Sequence, residues 1–185
     1  VSRHADMGKA VPIVVNAKVQ RPSVCNAMET LLLDKKLSDA NKRCIVEALR
    51  EKGVRLFCDT AVRKLYPDCP RATSDDWYAE YLDLRLAVGI VDTTAAAIEH
   101  INTYGSHHTD SIVTESNPEA ALFCKLVDSS SVMVNASTRF SDGGEYGLGC
   151  EIGISTDKLH ARGPMGLGEL LTYKWIVEGT GQVRV

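Results

Sequence analysis

Short apolar runs alternate with helix-period segments along most of the chain, and this alternation constrains its fold more than any other feature. Glu29–Leu33 is a strand candidate. Ser38 then caps a helix reaching about Lys52, in which Ala40, Cys44 and Ala48, with Ile45 and Leu49, recur at helical spacing. Gly53 is a stop, and Val54–Cys58 is the next strand. Residues 59–79 are irregular, broken by Pro67, Pro70 and Asp75-Asp76. Leu84–Val91 is a buried strand, followed by a helix capped by Asp92 or Thr93 that carries Ile98, Ile101 and Tyr104 on one face and ends at Gly105. Ser111–Thr114 is a short strand. Ser116 and Glu119 form a capping box for a helix to about Val127, and Ser131–Asn135 is another strand. Such alternation with short loops predicts an α/β fold: a three-layer α/β/α arrangement on a mostly parallel sheet, with right-handed crossovers.

Three stretches depart from this rhythm. Residues 136–168 are rich in glycine and poor in apolar runs, which marks a long loop of the kind often used for function. Leu171–Val177 is strand-like and must pair on the main sheet or on another subunit. Ala5–Val19 is helical in character but contains Pro12, whose cost inside a helix is roughly 3 kcal/mol, so the helix is expected to start near Pro12 or kink there. The chain begins without a cap or a first strand and reads as part of something longer.

Composition removes several function classes. With 44% hydrophobic residues and a formal net charge of −3, the chain is neither disordered nor a basic nucleic-acid binder. No apolar run approaches the ~18–20 residues of a membrane span, and no signal peptide is visible, so no membrane partner is expected. The six cysteines are scattered without a CxxC pair, and His107-His108 is poor geometry for one ion; a reduced, cytoplasmic protein without a metal follows.

Cys25 is the first candidate for chemistry. Pro22 ends the preceding helix, so the thiol lies on a connecting turn, with Lys18 and Arg21 near enough in sequence to lower its pKa. Composition alone favours the plainer reading, a half-buried structural cysteine. Asn135, Ser137, Thr138 and Arg139 follow a strand, at the sheet edge where open α/β folds bind ligands, and together make an anion cradle or a solvated turn. Glu80 is an acid at a strand entrance. Gly147-Leu148-Gly149 with Gly153 imitates a dinucleotide fingerprint, but the third glycine comes one residue late and no strand leads into it. Those glycines are better suited to a loop lying close to a substrate or another chain.

Together these pieces resemble a family. Gln20-Arg21-Pro22-Ser23-Val24-Cys25-Asn26-Ala27-Met28-Glu29-Thr30-Leu31-Leu32 resembles the nucleophile segment of the bacterial γ-glutamyl phosphate reductases (glutamate-5-semialdehyde dehydrogenases) of the aldehyde dehydrogenase superfamily. Tyr104-Gly105-Ser106 through Val113-Thr114-Glu115, Val134-Asn135-Ala136-Ser137-Thr138-Arg139-Phe140-Ser141-Asp142-Gly143-Gly144, His160-Ala161-Arg162-Gly163-Pro164-Met165-Gly166-Leu167 and Thr172-Tyr173-Lys174-Trp175 resemble its later motifs, in order and over nearly the whole chain.

The resemblance implies an aldehyde-dehydrogenase-like catalytic domain over residues 1–168 and a C-terminal oligomerisation strand within 169–185, without the family's N-terminal NADPH-binding domain. It implies NADPH-dependent reduction of L-glutamyl 5-phosphate to glutamate 5-semialdehyde and phosphate, the second step of proline biosynthesis, with Cys25 as nucleophile and no metal. Ser137, Thr138, Arg139, Asn135 and Arg162 would hold the substrate's anionic groups, and Arg162 would alternatively stitch subunits. Glu80 would hold the nicotinamide ribose, although the residues after it depart from the wider superfamily's pattern. A homo-oligomer and contact with glutamate 5-kinase are the implied partners. The isolated chain would bind NADPH poorly and turn over little. Two other readings remain: a binding or assembly module that keeps the motifs without the chemistry, and an oxidising aldehyde dehydrogenase, for which no general base can be placed.

Overall fold

A computed structural model describes residues 1–185. Strands β1 (Thr30–Asp34), β2 (Arg55–Cys58) and β3 (Arg85–Val91) form a parallel sheet in the order β1-β3-β2. Leu31 lies opposite Val88, and Leu56 opposite Leu86. Side chains alternate between faces. Leu31, Leu33, Leu86 and Val88 therefore meet Val14 of helix α1 (Met7–Val19) and Ile45, Val46 and Leu49 of helix α2 (Asp39–Glu51) in one core. Leu32 turns the other way, toward Trp77 of the short helix α3 (Ser74–Tyr78) and His100 of helix α4 (Thr94–Tyr104).

A second parallel pair, β4 (Thr109–Ile112) and β5 (Ser131–Val134), is covered by α4 and helix α5 (Asn117–Leu126). Its core is Ile98, Ile112, Phe123 and Val127. An antiparallel hairpin of β6 (Gly153–Ser155) and β7 (Gly163–Met165) ends the ordered pairing. No helix is long and apolar enough to cross a membrane.

The α/β layering matches expectation, but the parallel sheet is in two pieces of three and two strands. Residues 1–4 lie between them. The Val1 amine donates to Leu32 C=O at 2.7 Å, and the Asp34 N–H donates to Val1 C=O at 3.0 Å. On the other side, the Ser2 N–H donates to Val113 C=O at 3.0 Å and the Glu115 N–H to His4 C=O at 2.9 Å.

Several local expectations shift. Helix α1 does not start at Pro12 but runs through it from Met7. The Asp6 carboxylate caps it by accepting the Gly8 N–H, and buried Ala10 and Val14 anchor the turns on either side of an exposed Pro12. Ser116 caps α5 by accepting the Glu119 N–H, but the carboxylate of Glu119 does not return to the Ser116 N–H. It accepts instead from Ser2 at 2.5 Å and Thr114 at 3.0 Å, a tertiary pairing that spacing does not reveal. Strand β4 begins two residues earlier than its apolar residues indicate, because pairing with β5 sets its extent. The irregular 59–79 stretch holds α3, closed by a Thr73–Asp76 capping box.

Leu171–Val177 forms no ladder. Tyr173, Trp175, Ile176 and Val177 stand exposed, and the segment pairs with no strand edge of this chain. The glycine run folds on itself: a Cβ on Gly143 would lie 2.6 Å from the Cys150 carbonyl oxygen, so the loop closes only around glycine.

Candidate active site

Cys25 lies on the turn between α1 and β1, where Pro22 follows the helix end. It lines a cavity of about 220 Å³ shared with Glu80, Ser106, Thr109 and Thr138, and it is the only one of the six cysteines to do so. The neighbouring Asn26 holds the turn in place. Its amide donates to Ser141 C=O at 2.8 Å, and its side-chain oxygen accepts from Arg139 Nη1. Arg139 Nε donates to Gln20 at 2.6 Å, so one guanidinium ties both ends of the Cys25 turn. Nη2 of Arg139 remains without a partner.

The expected position of this cluster is reversed. Arg139 follows the C-terminal end of β5 in sequence, but Asn135 takes a left-handed φ of 54° and the chain doubles back. Ser141 then sits beside Ser131 at the start of β5, with their hydroxyls 3.1 Å apart. Cys25, Glu80, Thr109 and Ser141 all border the entrances of strands, so the site lies at the N-terminal edge of the sheet. Reversal at Asn135 brings the β5 loop to Cys25, and local sequence cannot reveal that crossing.

Asn135 is fully engaged, accepting the Thr114 N–H and donating to Thr114 C=O, both at 2.9 Å. Ser137 caps the turn at Thr138–Phe140 by accepting the Arg139 N–H. Thr138 is buried, and its hydroxyl has no partner. Arg162 lies elsewhere, fastened to Asp128 by Nη1 and Nη2 and to Thr156 C=O by Nε, each at 3.1 Å. Glu80 is exposed, and its carboxylate carries no hydrogen bond or ion pair.

The electrostatics differ from the sequence expectation. Lys18 does not serve Cys25. Its side chain is fully buried and pairs with Glu29 at 2.6 Å. Burial pushes the Lys18 pKa down and the Glu29 pKa up, against the pull of their own pairing. The Cys25 thiol is also held above its ordinary range, first by desolvation and then by the charges of Glu151 and Glu80; the N–H groups of Cys25 and Asn26 act the other way. Cys25 is exposed as a residue. Glu151, on the 136–168 loop, carried no sequence signal for this role. Asn26 did carry one, as the polar neighbour of the candidate nucleophile.

No protein-family model matches the chain. Curated relatives give a clear result. A γ-glutamyl phosphate reductase of Clavibacter michiganensis is 55% identical over 97% of this chain and 42% of its own length. The enzyme of the same name from Lactiplantibacillus plantarum is 50% identical over 100% of this chain and 45% of its own. The chain belongs with the γ-glutamyl phosphate reductases. It spans under half the length of the relatives it matches. The crystal structure of the Thermotoga maritima γ-glutamyl phosphate reductase superposes with a TM-score of 0.95 at 50% identity, covering 97% of this chain and 44% of that one. Escherichia coli lactaldehyde dehydrogenase, 17% identical over 74% of this chain and 38% of its own, shares the fold with a TM-score of 0.58. γ-Glutamyl phosphate reductase sequence and aldehyde dehydrogenase architecture thus coincide in this chain.

Proposed function

We propose that this chain is the nucleophile-bearing part of an NADPH-dependent γ-glutamyl phosphate reductase, acting in proline synthesis. The observation that carries this reading is that Cys25 alone among the cysteines faces the cavity, on a turn clamped by Asn26 and Arg139. The Cys25 thiolate attacks the acyl carbon of L-glutamyl 5-phosphate. A C–S bond forms, the C–O bond to phosphate breaks, and inorganic phosphate leaves. A thioester accepts hydride far more readily than a carboxylate does, so covalent catalysis divides one hard step into two. When bound, NADPH supplies the hydride. The tetrahedral centre then collapses, the C–S bond breaks, and Cys25 is restored as thiolate with release of glutamate 5-semialdehyde.

The residues present fit these tasks. In this reading the Cys25 N–H donates to the oxyanion. In this reading Nη2 of Arg139 meets the substrate's anionic groups, the buried Thr138 hydroxyl lies in the wall beside it, and Asn135 and Ser137 hold the loop that carries them. The unpartnered Glu80 carboxylate suits a ribose hydroxyl of the cofactor. Residues 1–168 form the catalytic part in this reading. The exposed apolar segment within 169–185 is the assembly strand of a homo-oligomer, and Arg162 braces the β6–β7 hairpin that leads to it.

The test is the reverse reaction of the intact enzyme: glutamate 5-semialdehyde, NADP and inorganic phosphate, followed by NADPH formation. Turnover is expected to require phosphate and to fall at least ~10³-fold in Cys25→Ser, the scale seen when a covalent nucleophile is removed. Phosphate-independent turnover releasing free glutamate would identify an oxidising dehydrogenase instead. Full activity in Cys25→Ser would leave the chain a non-catalytic module.

A further inference from the structure

Lys18 and Glu29 stand at the two feet of the Cys25 turn. Just inside them, the Met28 N–H donates to Ala17 C=O at 2.9 Å and closes the base of the loop. Lys18 leaves the last turn of α1, Glu29 leads into β1, and their side chains meet at 2.6 Å with Lys18 fully buried. A buried ion pair gives little net cohesion, because desolvation offsets its attraction, and apolar side chains of similar volume often hold a core as well. Burial opposes both charges here. What apolar side chains cannot supply is the second connection of this pair. While Oε2 of Glu29 accepts from Lys18, Oε1 accepts the Leu82 N–H at 3.3 Å. Leu82 has a φ of 54°, a left-handed conformation that a bulky residue seldom holds without support. The preceding residue is fixed from the other side: the Tyr81 ring stacks on Phe57 with centroids 5.6 Å apart, and its hydroxyl donates to Asp76 at 2.7 Å. Glu80, next in line, borders the cavity that Cys25 lines. One carboxylate thus joins the turn of the nucleophile to the segment that carries Glu80.

We propose that Lys18 and Glu29 are positioning residues, which hold the Glu80 carboxylate at a fixed place relative to the Cys25 thiol. Given Glu80 as the acid that holds a cofactor ribose, the reading on which this rests, the pair sets the register between cofactor and nucleophile. Lys18 fixes the Glu29 side chain, Glu29 holds the Leu82 N–H, and the backbone at Leu82 carries Glu80 two residues away. Neither Lys18 nor Glu29 touches the reacting atoms in this account. Their contribution is geometric, and a misplacement of about 1 Å is enough to cost roughly 10²-fold in a reaction between bound groups.

The test uses the intact enzyme and the double variant Lys18→Met/Glu29→Met, in which two apolar side chains of similar length fill the same space. The Leu82 N–H is then free to bond water, so the fold is expected to survive with a Tm within a few degrees of the parent. Three further results are expected. The Leu82 amide exchanges with deuterium at least tenfold faster. KM for NADP in the reverse reaction rises at least tenfold, while KM for glutamate 5-semialdehyde and the rate of Cys25 alkylation stay within twofold. Glu80→Gln raises KM for NADP in the parent but adds less than twofold on top of the double variant, because the two changes disable one device. Should the double variant fail to fold, Glu29→Asp takes its place under the same outcomes, being too short to reach both Lys18 and Leu82. An unchanged KM for NADP in the double variant, with Glu80→Gln still raising it in the parent, would make the pair merely structural and overturn the proposal. Effects that multiply independently would overturn it as well. An unchanged KM in Glu80→Gln itself would withdraw the ribose role of Glu80, and the proposal with it.

Discussion

The two halves of the sheet are held together very differently. The β1-β3-β2 half closes on 15 buried residues, with α1 and α2 packed against it. The β4-β5 half closes on four. Both contribute to the site: the larger half carries the Cys25 turn, and the smaller delivers Thr138 and Arg139. Chemistry of this kind needs groups from separate elements held within a fraction of an ångström. Here the well-packed half sets the nucleophile, and the Arg139–Asn26 bridge brings the weaker half to it. The difference teaches that cohesion of the site depends on polar bridges and on Val1–His4 more than on a shared core.

The largest expected effects are in the cores. Leu86→Ala and Phe123→Ala should each cost about 3–4 kcal/mol. Native-state hydrogen exchange should separate them. Leu86→Ala is expected to loosen every element together, whereas Phe123→Ala should raise exchange in α4, α5, β4 and β5 and leave β1-β3-β2 protected. Equal loosening throughout by Phe123→Ala would break the comparison and make the molecule one cooperative unit.

The smallest effect sharpens the link between the C-terminal loop and the nucleophile. Because the charge of Glu151 adds to burial in holding the Cys25 thiol up, Glu151→Gln should move the onset of Cys25 alkylation by iodoacetamide to lower pH. Site-resolved mass spectrometry, with Cys44 as an exposed reference, reads the shift. An unchanged profile would leave burial and the charge of Glu80 as the causes.

Much of the fold was legible because its signals are local. The strands at 30–34, 55–58 and 85–91 and the Ser38 and Thr93 caps lie within a residue or two of where period and capping chemistry place them. Cys25 and Glu80 were visible as residues able to do chemistry, and the structure brings both to one cavity. Other features were not legible. The partner of Glu119 is Ser2, 117 residues away, and Arg139 reaches Asn26 across 113. Lys18, expected to serve Cys25, is buried and pairs instead with the half-buried Glu29.

The sequence by itself determined the α/β class, the order of elements, the candidate nucleophile and, through its motifs, membership among the γ-glutamyl phosphate reductases. Periodicity, caps and turns act over a few residues, and a linear motif preserves them. Tertiary structure alone decided that the loop after β5 returns to Cys25, that the site lies at the strand entrances, and which charges face Cys25. Those outcomes depend on burial and on contacts between distant segments, and both exist only once the chain has folded.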